Sequence, residues 1–572
     1  MKKRMKSLVA LGLSVGLLAG CGSEPTTSVS EVKESSSEVK ESSSEVVESK
    51  YPEYLNLDSF RPIVKEGEKI TLTMTMGTTS ATTSEPEGRW FYHFMEEVLN
   101  IDLEVDQNYN EERKSIMLNS NDLPDMVFDA AMTPTDLVVY GQDGGLFLDI
   151  SEYISEELTP NIVKAMEEYP EIFEACVTPD GKMYTVPTID YNQYGKGSSQ
   201  GQSRMFLDTA YMEAAGIKEV PKTLDELLDM LRAFKKLDPA TMGVDEIIPW
   251  CANWHYDWYY LYNVFGWVSS DVGSFTVPAW DVEEKKVVVP CLTEEFADYV
   301  KLLHTMYSED LVHDDYFTIS KDTVRALSAE GKVGLVSDSL ISASQPERVE
   351  EFVAVPPVTS DWCSVPVASA PVGYSYGNVV ISADTKYPEL CVRFLDYLYS
   401  DEGSVYTAKG PVQGSEDELG MIQGFTAKPN TNVVTYPAVL SGEYTADYNY
   451  NRACVALTGG MNLYSAKSTD LMQTMAGLEP TSSYDKSNYE GLITYEAQYP
   501  YLVKILNDPY TTPEQAEKLT DLSTVMQNYV AAEVAKFVVG QRPIEELDAF
   551  IEEIWALDGQ EYLDLCQQVY KR

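Results

Sequence analysis

The chain has 572 residues, of which 91 are Asp or Glu and 42 are Lys or Arg, so its formal net charge is -49 at pH 7. This excess of acid argues against nucleic acid and against direct docking on anionic lipid, because both carry negative charge. A chain of this length exceeds one compact core, so two or more lobes are expected.

The first residues have the pattern of an export signal. Basic residues at positions 2–6 precede an apolar stretch at 7–20, which is shorter than the roughly 20 apolar residues that span a bilayer. Residues 1–20 are therefore predicted to be a signal peptide. The tetrapeptide LAGC at 18–21 resembles a bacterial lipobox, which implies cleavage before Cys21 and a lipid anchor on its sulfur. An ordinary secretory peptide with an incidental cysteine is the alternative.

A repeat of seven residues follows the cysteine. It reads SEVKESS from Ser30, SEVKESS from Ser37 and SEVVESK from Ser44. Each unit offers one apolar position, so no coiled-coil seam forms, and the Ser, Glu and Lys content is typical of disorder. Residues 21–53 are predicted to be a flexible tether.

The other cysteines are odd in number and widely scattered, without a CxxC pair. A disulfide scaffold or a zinc ribbon would show closer, regular spacing. Buried free thiols are expected at Cys176, Cys251, Cys291, Cys363, Cys391, Cys454 and Cys566.

Strands then alternate with helices. Polar and apolar residues alternate at 69–76, which predicts a strand, and further strands are predicted at 101–105 and 125–128. Between them, the apolar positions at 89–99 predict a helix. This alternation indicates an α/β sheet.

The best-defined helix is predicted to begin after Thr223. Its hydroxyl can cap the helix, with Glu226 three positions later, and apolar residues then recur with helical spacing up to Phe234. A helix is also predicted from 386 to 399, after a strand at 378–382.

Seven stretches, in this order, resemble segments of the extracellular solute-binding proteins of ABC importers. The last of them is similar to the C-terminus of the subgroup of lipoprotein LplA and the alginate-binding proteins. The stretches are 118–128 (LNSNDLPDMVF), 145–154 (GLFLDISEYI), 180–187 (DGKMYTVP), 206–239, 331–335 (GKVGL), 386–399 and 540–570.

The resemblance implies the type II fold of periplasmic binding proteins, in which two α/β lobes are joined by hinge strands and ligand binds in the cleft between them. The first lobe is expected at 54–188 with 374–415. The second lobe is expected at 189–373 with 416–572.

Aromatic side chains are candidates for the ligand site because sugar rings pack their C–H faces on aromatic rings. Aromatic residues make up 11% of the chain and are densest between 250 and 267. Trp254 and Trp258, four positions apart, would share one helix face. The alternative for each ring is ordinary core packing.

Five more residues are predicted to contact ligand. Trp362, Tyr374 and Tyr376 lie in the region that crosses between the lobes in the resembled family. Thr79 and Asp129 follow predicted strands, and ligands of open α/β sheets favour the carboxyl ends of strands. Core packing or a solvated loop is the alternative.

Some members of the resembled family carry a calcium loop, which would correspond to residues 238–246. Calcium needs oxygen ligands at alternate loop positions, but Ala240 and Met242 occupy two of them here. We therefore predict no metal and no cofactor.

The sequence thus predicts a lipid-anchored, monomeric protein on the extracellular face of the bacterial membrane. It would capture a carbohydrate, which is expected to be an oligosaccharide, and deliver it to the permease of an ABC importer. A peptide or another solute is an open alternative for the ligand. An exported glycan-active enzyme is another, although no nucleophile elbow, HExxH motif or P-loop is present. A surface glycan-binding protein without a transporter also remains open.

Overall fold

A computed structural model describes residues 50–77, 85–189, 205–252, 256–338, 340, 348–370, 374–412, 419, 426–427, 434–435, 455, 457, 461–464, 475 and 489–570. Within it, Tyr51–Arg572 form one compact unit. Tyr51 is already buried, and its hydroxyl lies 2.8 Å from Ser155 Oγ. The six cysteines among the described residues are buried thiols, as expected, and Cys454 lies outside the described residues. No helix among the described residues is long and apolar enough to cross a membrane.

The strands are short. They are β1 (Thr71–Gly77), β2 (Asp102–Tyr109), β3 (Met126–Phe128), β4 (Thr188–Ile189), β5 (Phe206–Asp208), β6 (Ile248–Ala252), β7 (Trp267–Ser269), β8 (Ala279–Asp281), β9 (Lys286–Val288), β10 (Val333–Ser337), β11 (Phe352–Ala354), β12 (Ala368–Ala370), β13 (Tyr374–Ser375), β14 (Val379–Ile381), β15 (Thr426–Ala427), β16 (Val434–Thr435) and β17 (Leu502–Lys504).

The α-helices vary more in length. They are α1 (Trp90–His93), α2 (Glu111–Ser120), α3 (Pro134–Asp136), α4 (Pro160–Glu168), α5 (Pro170–Glu174), α6 (Thr209–Ala215), α7 (Leu224–Lys235), α8 (Pro239–Met242), α9 (Tyr256–Val264), α10 (Phe296–Ser308), α11 (Lys321–Ala329), α12 (Pro388–Tyr399), α13 (Asp401–Lys409), α14 (Tyr489–Gln498), α15 (Pro513–Val538), α16 (Leu547–Trp555) and α17 (Gly559–Val569).

The helix predicted at 89–99 is α-helical only over Trp90–His93. It continues as a π-helix over Phe94–Val98. The wider turn is visible in the backbone, because the amide of Leu99 donates to the carbonyl of Phe94, five positions earlier.

The first sheet has the strand order β14-β3-β1-β2. β1 runs parallel to both β2 and β3, whereas β14 pairs antiparallel with β3, placing Val379 opposite Phe128. Leu72, Met74 and Met76 of β1 are buried, as the alternation in the sequence predicts.

The second sheet has the order β11-β5-β10-β6. β10 runs parallel to β6 and antiparallel to β5. α7 packs beside β6, and its apolar face is buried as predicted, with Leu227, Leu231 and Phe234 fully covered. Thr223 accepts a hydrogen bond from the Glu226 amide at 3.2 Å and so caps this helix.

Each sheet has its own hydrophobic core. Buried residues between Tyr51 and Ile189, and again between Val379 and Val405, form the first core, which also takes in Val455, Leu457 and Leu463. Buried residues between Met205 and Val358, together with the C-terminal helices from Met526 onward, form the second. Two cores of this size correspond to two lobes.

Short strand pairs lie where the chain passes between the cores. β4 pairs with β13, so that Ile189 lies opposite Tyr374. β12 pairs with β17, so that Ala368 lies opposite Leu502. The second pair brings a late part of the chain, just before α15, against the connection that leaves the second lobe.

Candidate ligand-binding site

Three strand ends of the first sheet meet at one edge. β1 ends at Gly77 and β3 ends at Phe128, while the antiparallel β14 begins at Val379, opposite Phe128. Loops at the carboxyl ends of strands are the usual place for ligand in sheets of this class. We call this edge, with the residues just beyond it, the first-sheet edge.

Asp129 is fixed at the first-sheet edge. It directly follows β3 with a φ of 52°, and its Oδ2 accepts a hydrogen bond from the Gly77 amide at 3.2 Å. The bond joins the loop after β3 to the end of β1. The side chain is half-buried. Thr79, two positions beyond Gly77, lies outside the described residues.

The backbone around Gly377 closes the same edge. The Met132 amide donates to the Gly377 carbonyl at 2.9 Å, and the Ala130 amide donates to the Asn378 carbonyl at 3.0 Å. Gly377 has a φ of 77°, and a Cβ there would stand 2.0 Å from the Met132 oxygen. Only glycine allows this approach, which brings Tyr376 close to the loop of Asp129.

Three tyrosines form a stacked row beside that loop. The rings of Tyr374 and Tyr376 are 6.2 Å apart, and those of Tyr376 and Tyr510 are 6.0 Å apart, with interplanar angles of 28° and 25°. All three side chains are half-buried. We call this set the tyrosine row. It combines two predicted site residues with Tyr510, which the sequence reading did not find.

Hydrogen bonds hold the tyrosine row in place. The Tyr376 hydroxyl donates to the Asp508 carbonyl at 2.9 Å, and the Tyr510 hydroxyl donates to the Ala175 carbonyl at 3.1 Å. Burial raises the pKa of both tyrosines well above the ordinary value. Both hydroxyls therefore stay protonated near neutral pH and remain donors.

Trp258 lies in the second core. Its side chain is 5% exposed, its ring stacks on Phe275 at 5.4 Å, and its Nε1 donates to the Tyr316 hydroxyl at 2.6 Å. These are the contacts of a packed core ring. Trp254 lies outside the described residues.

Most other rings of the dense aromatic run are also buried. They pack in the second core with exposures of 2% or less: Trp250, Tyr260, Tyr262, Phe265 and Trp267. These five rings therefore serve ordinary core packing and not ligand binding.

Trp362 lies apart from the tyrosine row. One face of its ring stacks on Phe265, with centroids 4.4 Å apart, and its Nε1 donates to Asp298 Oδ2 at 3.3 Å. The half-buried ring lines a groove of about 440 Å³ whose walls come from second-lobe residues. Trp362 thus packs on the second core, as Trp258 does, and is not part of the tyrosine row.

The loop at 238–246 is organised around a lysine. Asp238 caps α8, accepting from the Ala240 amide at 3.0 Å. Lys332 Nζ lies 2.8 Å from Asp245, 3.4 Å from Glu246 and 3.0 Å from Glu330. Hydrogen bonding to Lys332 lowers the pKa of the Asp245 carboxyl. Over the described residues, no group of three or more His, Cys, Asp or Glu is placed to hold a metal ion.

Comparison with known proteins shows which family this chain resembles in sequence. Residues 82–405, more than half of the chain, match the model of the bacterial extracellular solute-binding protein family. The chain is 22% identical to the fructooligosaccharide ABC transporter substrate-binding protein FusA of Streptococcus pneumoniae, over 99% of this chain and 97% of that protein. It is 24% identical to lipoprotein LipO of Bacillus subtilis, over 40% of this chain and 44% of that one.

Solved structures share the fold. An extracellular solute-binding protein from Bifidobacterium longum subsp. infantis superposes with a TM-score of 0.67 at 19% identity, covering 88% of this chain and 98% of that one. FusA in complex with kestose gives a TM-score of 0.62 at 20% identity, covering 87% and 98%. The fold is thus the predicted two-lobed α/β fold, and the chain belongs to the bacterial extracellular solute-binding protein family.

Proposed function

We propose that the chain captures an oligosaccharide in the cleft between its lobes and delivers it to the permease of an ABC importer. The tyrosine row carries this proposal. It places flat, half-buried aromatic faces beside Asp129, at the point where the chain passes between the lobes. A curated relative that aligns over nearly the whole chain is named as a fructooligosaccharide transporter component, which supports the same ligand class.

The two kinds of group at the first-sheet edge suit a sugar. Ring C–H faces pack on aromatic rings, while a carboxylate accepts hydrogen bonds from hydroxyls. Asp129 accepts a hydrogen bond from the Gly77 amide, and it is the carboxylate that we assign to ligand hydroxyls. Thr79 and Trp254 remain predicted contributors, whereas Trp258, which is packed in the second core, is not part of the proposed site.

Lobe closure is proposed to trap the ligand. The β4–β13 and β12–β17 pairs are two residues and three residues long, so small backbone changes there would rotate one lobe against the other. The lobe boundaries, 54–188 with 374–415 and 189–373 with 416–572, are part of the proposal, except that Val455, Leu457 and Leu463 pack in the first core and are assigned to the first lobe.

The remaining expectations concern where and how the protein works. We propose that it is a monomer, lipid-anchored through Cys21 on the extracellular face of the cell membrane, and that it catalyses no reaction on its ligand. Mass spectrometry of membrane-extracted protein would reveal the acyl chains on Cys21. Loss of the glycan during incubation with pure protein would contradict the proposal that the chain is not an enzyme.

A panel of fructo-, gluco- and galacto-oligosaccharides, screened by thermal shift and then calorimetry, tests ligand capture. A ligand at a hundred times its dissociation constant stabilises a protein by about 2.7 kcal/mol. Tyr374→Ala and Asp129→Ala should each weaken binding of the glycan that stabilises the native chain. Tyr529→Ala, which removes a half-buried tyrosine of α15 in the second lobe, is the matched control and should bind as the native chain does. Stabilisation by peptides alone would overturn the assignment to sugar.

A further inference from the structure

We propose that the groove at Trp362 is a second carbohydrate site, which holds a single pyranose ring within the second lobe. The groove has a volume of about 440 Å³ and is lined by hydroxyl and carboxylate groups, one ammonium, three leucines and the Trp362 ring. Ligand pockets usually fall between roughly 300 and 1,000 Å³. This groove lies at the small end of that range, which suits a single sugar ring rather than a long chain.

The floor of the groove is a fixed aromatic plane. The indole of Trp362 stacks on Phe265, with ring centroids 4.4 Å apart and an interplanar angle of 26°, and its Nε1 donates to Asp298. Its backbone amide also donates to Ser360 Oγ at 3.1 Å. The ring is therefore fixed before any ligand arrives, which lowers the entropic cost of binding. Phe265 covers one face of the ring, and the ring is part of the groove lining.

Two carboxylates beside this ring are available to a ligand. Asp225 and Asp361 both line the groove and both are exposed. Across the described part of the chain, neither carboxylate has a hydrogen bond or an ion pair with protein. Adjacent hydroxyls of a pyranose can donate to the two oxygens of one carboxylate, while the opposite ring face packs on an indole. The groove presents both groups together.

The third carboxylate has a different role. Asp298 accepts from Lys301 Nζ at 2.9 Å and from Trp362 Nε1. It orients the indole and neutralises the lysine, and is therefore a positioning residue rather than a ligand contact.

The site does not depend on lobe closure. Its walls are Thr223 with the first two turns of α7, the first three turns of α10 and residues 359–362, all within the second lobe. A site built on one lobe keeps its shape whether the lobes are open or closed. Its occupancy should therefore be independent of ligand between the lobes, unlike that of the tyrosine row.

Fluorine NMR of the full-length chain labelled with 5-fluorotryptophan tests this proposal, with Trp362→Phe assigning the resonance. The probes are methyl glucopyranosides, methyl galactopyranosides and methyl N-acetylglucosaminide. We expect the Trp362 resonance to move saturably with at least one of them. Asp361→Asn should weaken this binding about fivefold, the loss of one hydrogen bond of about 1 kcal/mol.

Trp280, half-buried in the same lobe, supplies the internal control, since its resonance should not move. Equal movement of both resonances, or movement with glycerol alone, would show a solvent effect and overturn the proposal. So would a Trp362 resonance that stays still with every pyranoside, or one that moves only with the ligand bound between the lobes. If no glycan of the thermal-shift panel binds but the Trp362 resonance still responds to a pyranoside, the proposed function is wrong and the second site is supported.

Discussion

Gly377 is predicted to tolerate no side chain, and Gly216 provides a matched comparison. Both have positive φ, 77° and 70°. A Cβ at Gly216, which ends α6, meets nothing within 4 Å, whereas one at Gly377 would stand 2.0 Å from the Met132 oxygen. Gly216→Ala therefore measures the conformational cost alone, and Gly377→Ala measures that cost together with the clash.

The expected magnitudes differ by about 2 kcal/mol. A left-handed conformation costs a residue with a Cβ roughly 1–2 kcal/mol, which is the whole effect expected at Gly216. At Gly377 the clash is relieved only if the Met132 loop moves away. That movement breaks the two backbone hydrogen bonds of this edge, at about 1 kcal/mol each. The total expected for Gly377→Ala is about 3–4 kcal/mol.

Urea unfolding followed by circular dichroism compares the two variants with the native chain. Because the broken bonds lie beside Asp129, Gly377→Ala should also weaken glycan binding in calorimetry, while Gly216→Ala should not. If Gly377→Ala costs no more free energy of unfolding than Gly216→Ala, the close backbone approach does not stabilise the first-sheet edge.

Three smaller effects follow from single side chains. Burial raises the pKa of the Asp396 carboxyl to about 6, so its protonated form stabilises the fold at low pH and this contribution is lost as pH rises through 6. In urea unfolding, the stability of Asp396→Asn relative to the native chain should therefore increase as the pH is raised from 4 to 7. A difference in the free energy of unfolding that stays constant over this range would contradict this. Lys332→Met should raise the pKa of the Asp245 carboxyl in a carbon-13 NMR titration, and a constant pKa would show that the lysine does not act on it. Tyr376→Phe should lower the free energy of unfolding by about 1 kcal/mol, because it removes one hydrogen bond and keeps the ring stack. A loss of stability as large as that of Tyr376→Ala would show that the ring stack contributes nothing beyond the hydrogen bond.

Local signals in the sequence predicted much of the fold. The alternation that predicts β1 and the cap at Thr223 that begins α7 depend on neighbouring residues, and the structure has both elements. One detail differs. The Glu226 carboxylate accepts from the Lys222 amide at 2.7 Å, so the cap is not the reciprocal arrangement that its spacing suggests.

The candidate site was less accessible to sequence reasoning because its parts come from distant positions. Tyr510 joins Tyr374 and Tyr376 only after the chain has returned from the second lobe, and no periodic pattern connects them. Trp258 has the opposite difficulty. Helical spacing predicts which rings share a face, but does not show whether that face meets a cleft or a core.

The pairing of β14 with β3 also dictates an order of folding. Phe128 pairs with Val379, and the whole second sheet lies between them in sequence. A ribosome has therefore made the whole second sheet before the first sheet can be completed, and until then β3 has an open edge able to pair with other strands. Contacts of such long sequence separation form slowly. A fragment ending at Ile189 should consequently unfold without a cooperative transition, and a sharp one would show that the first lobe assembles without its last strand.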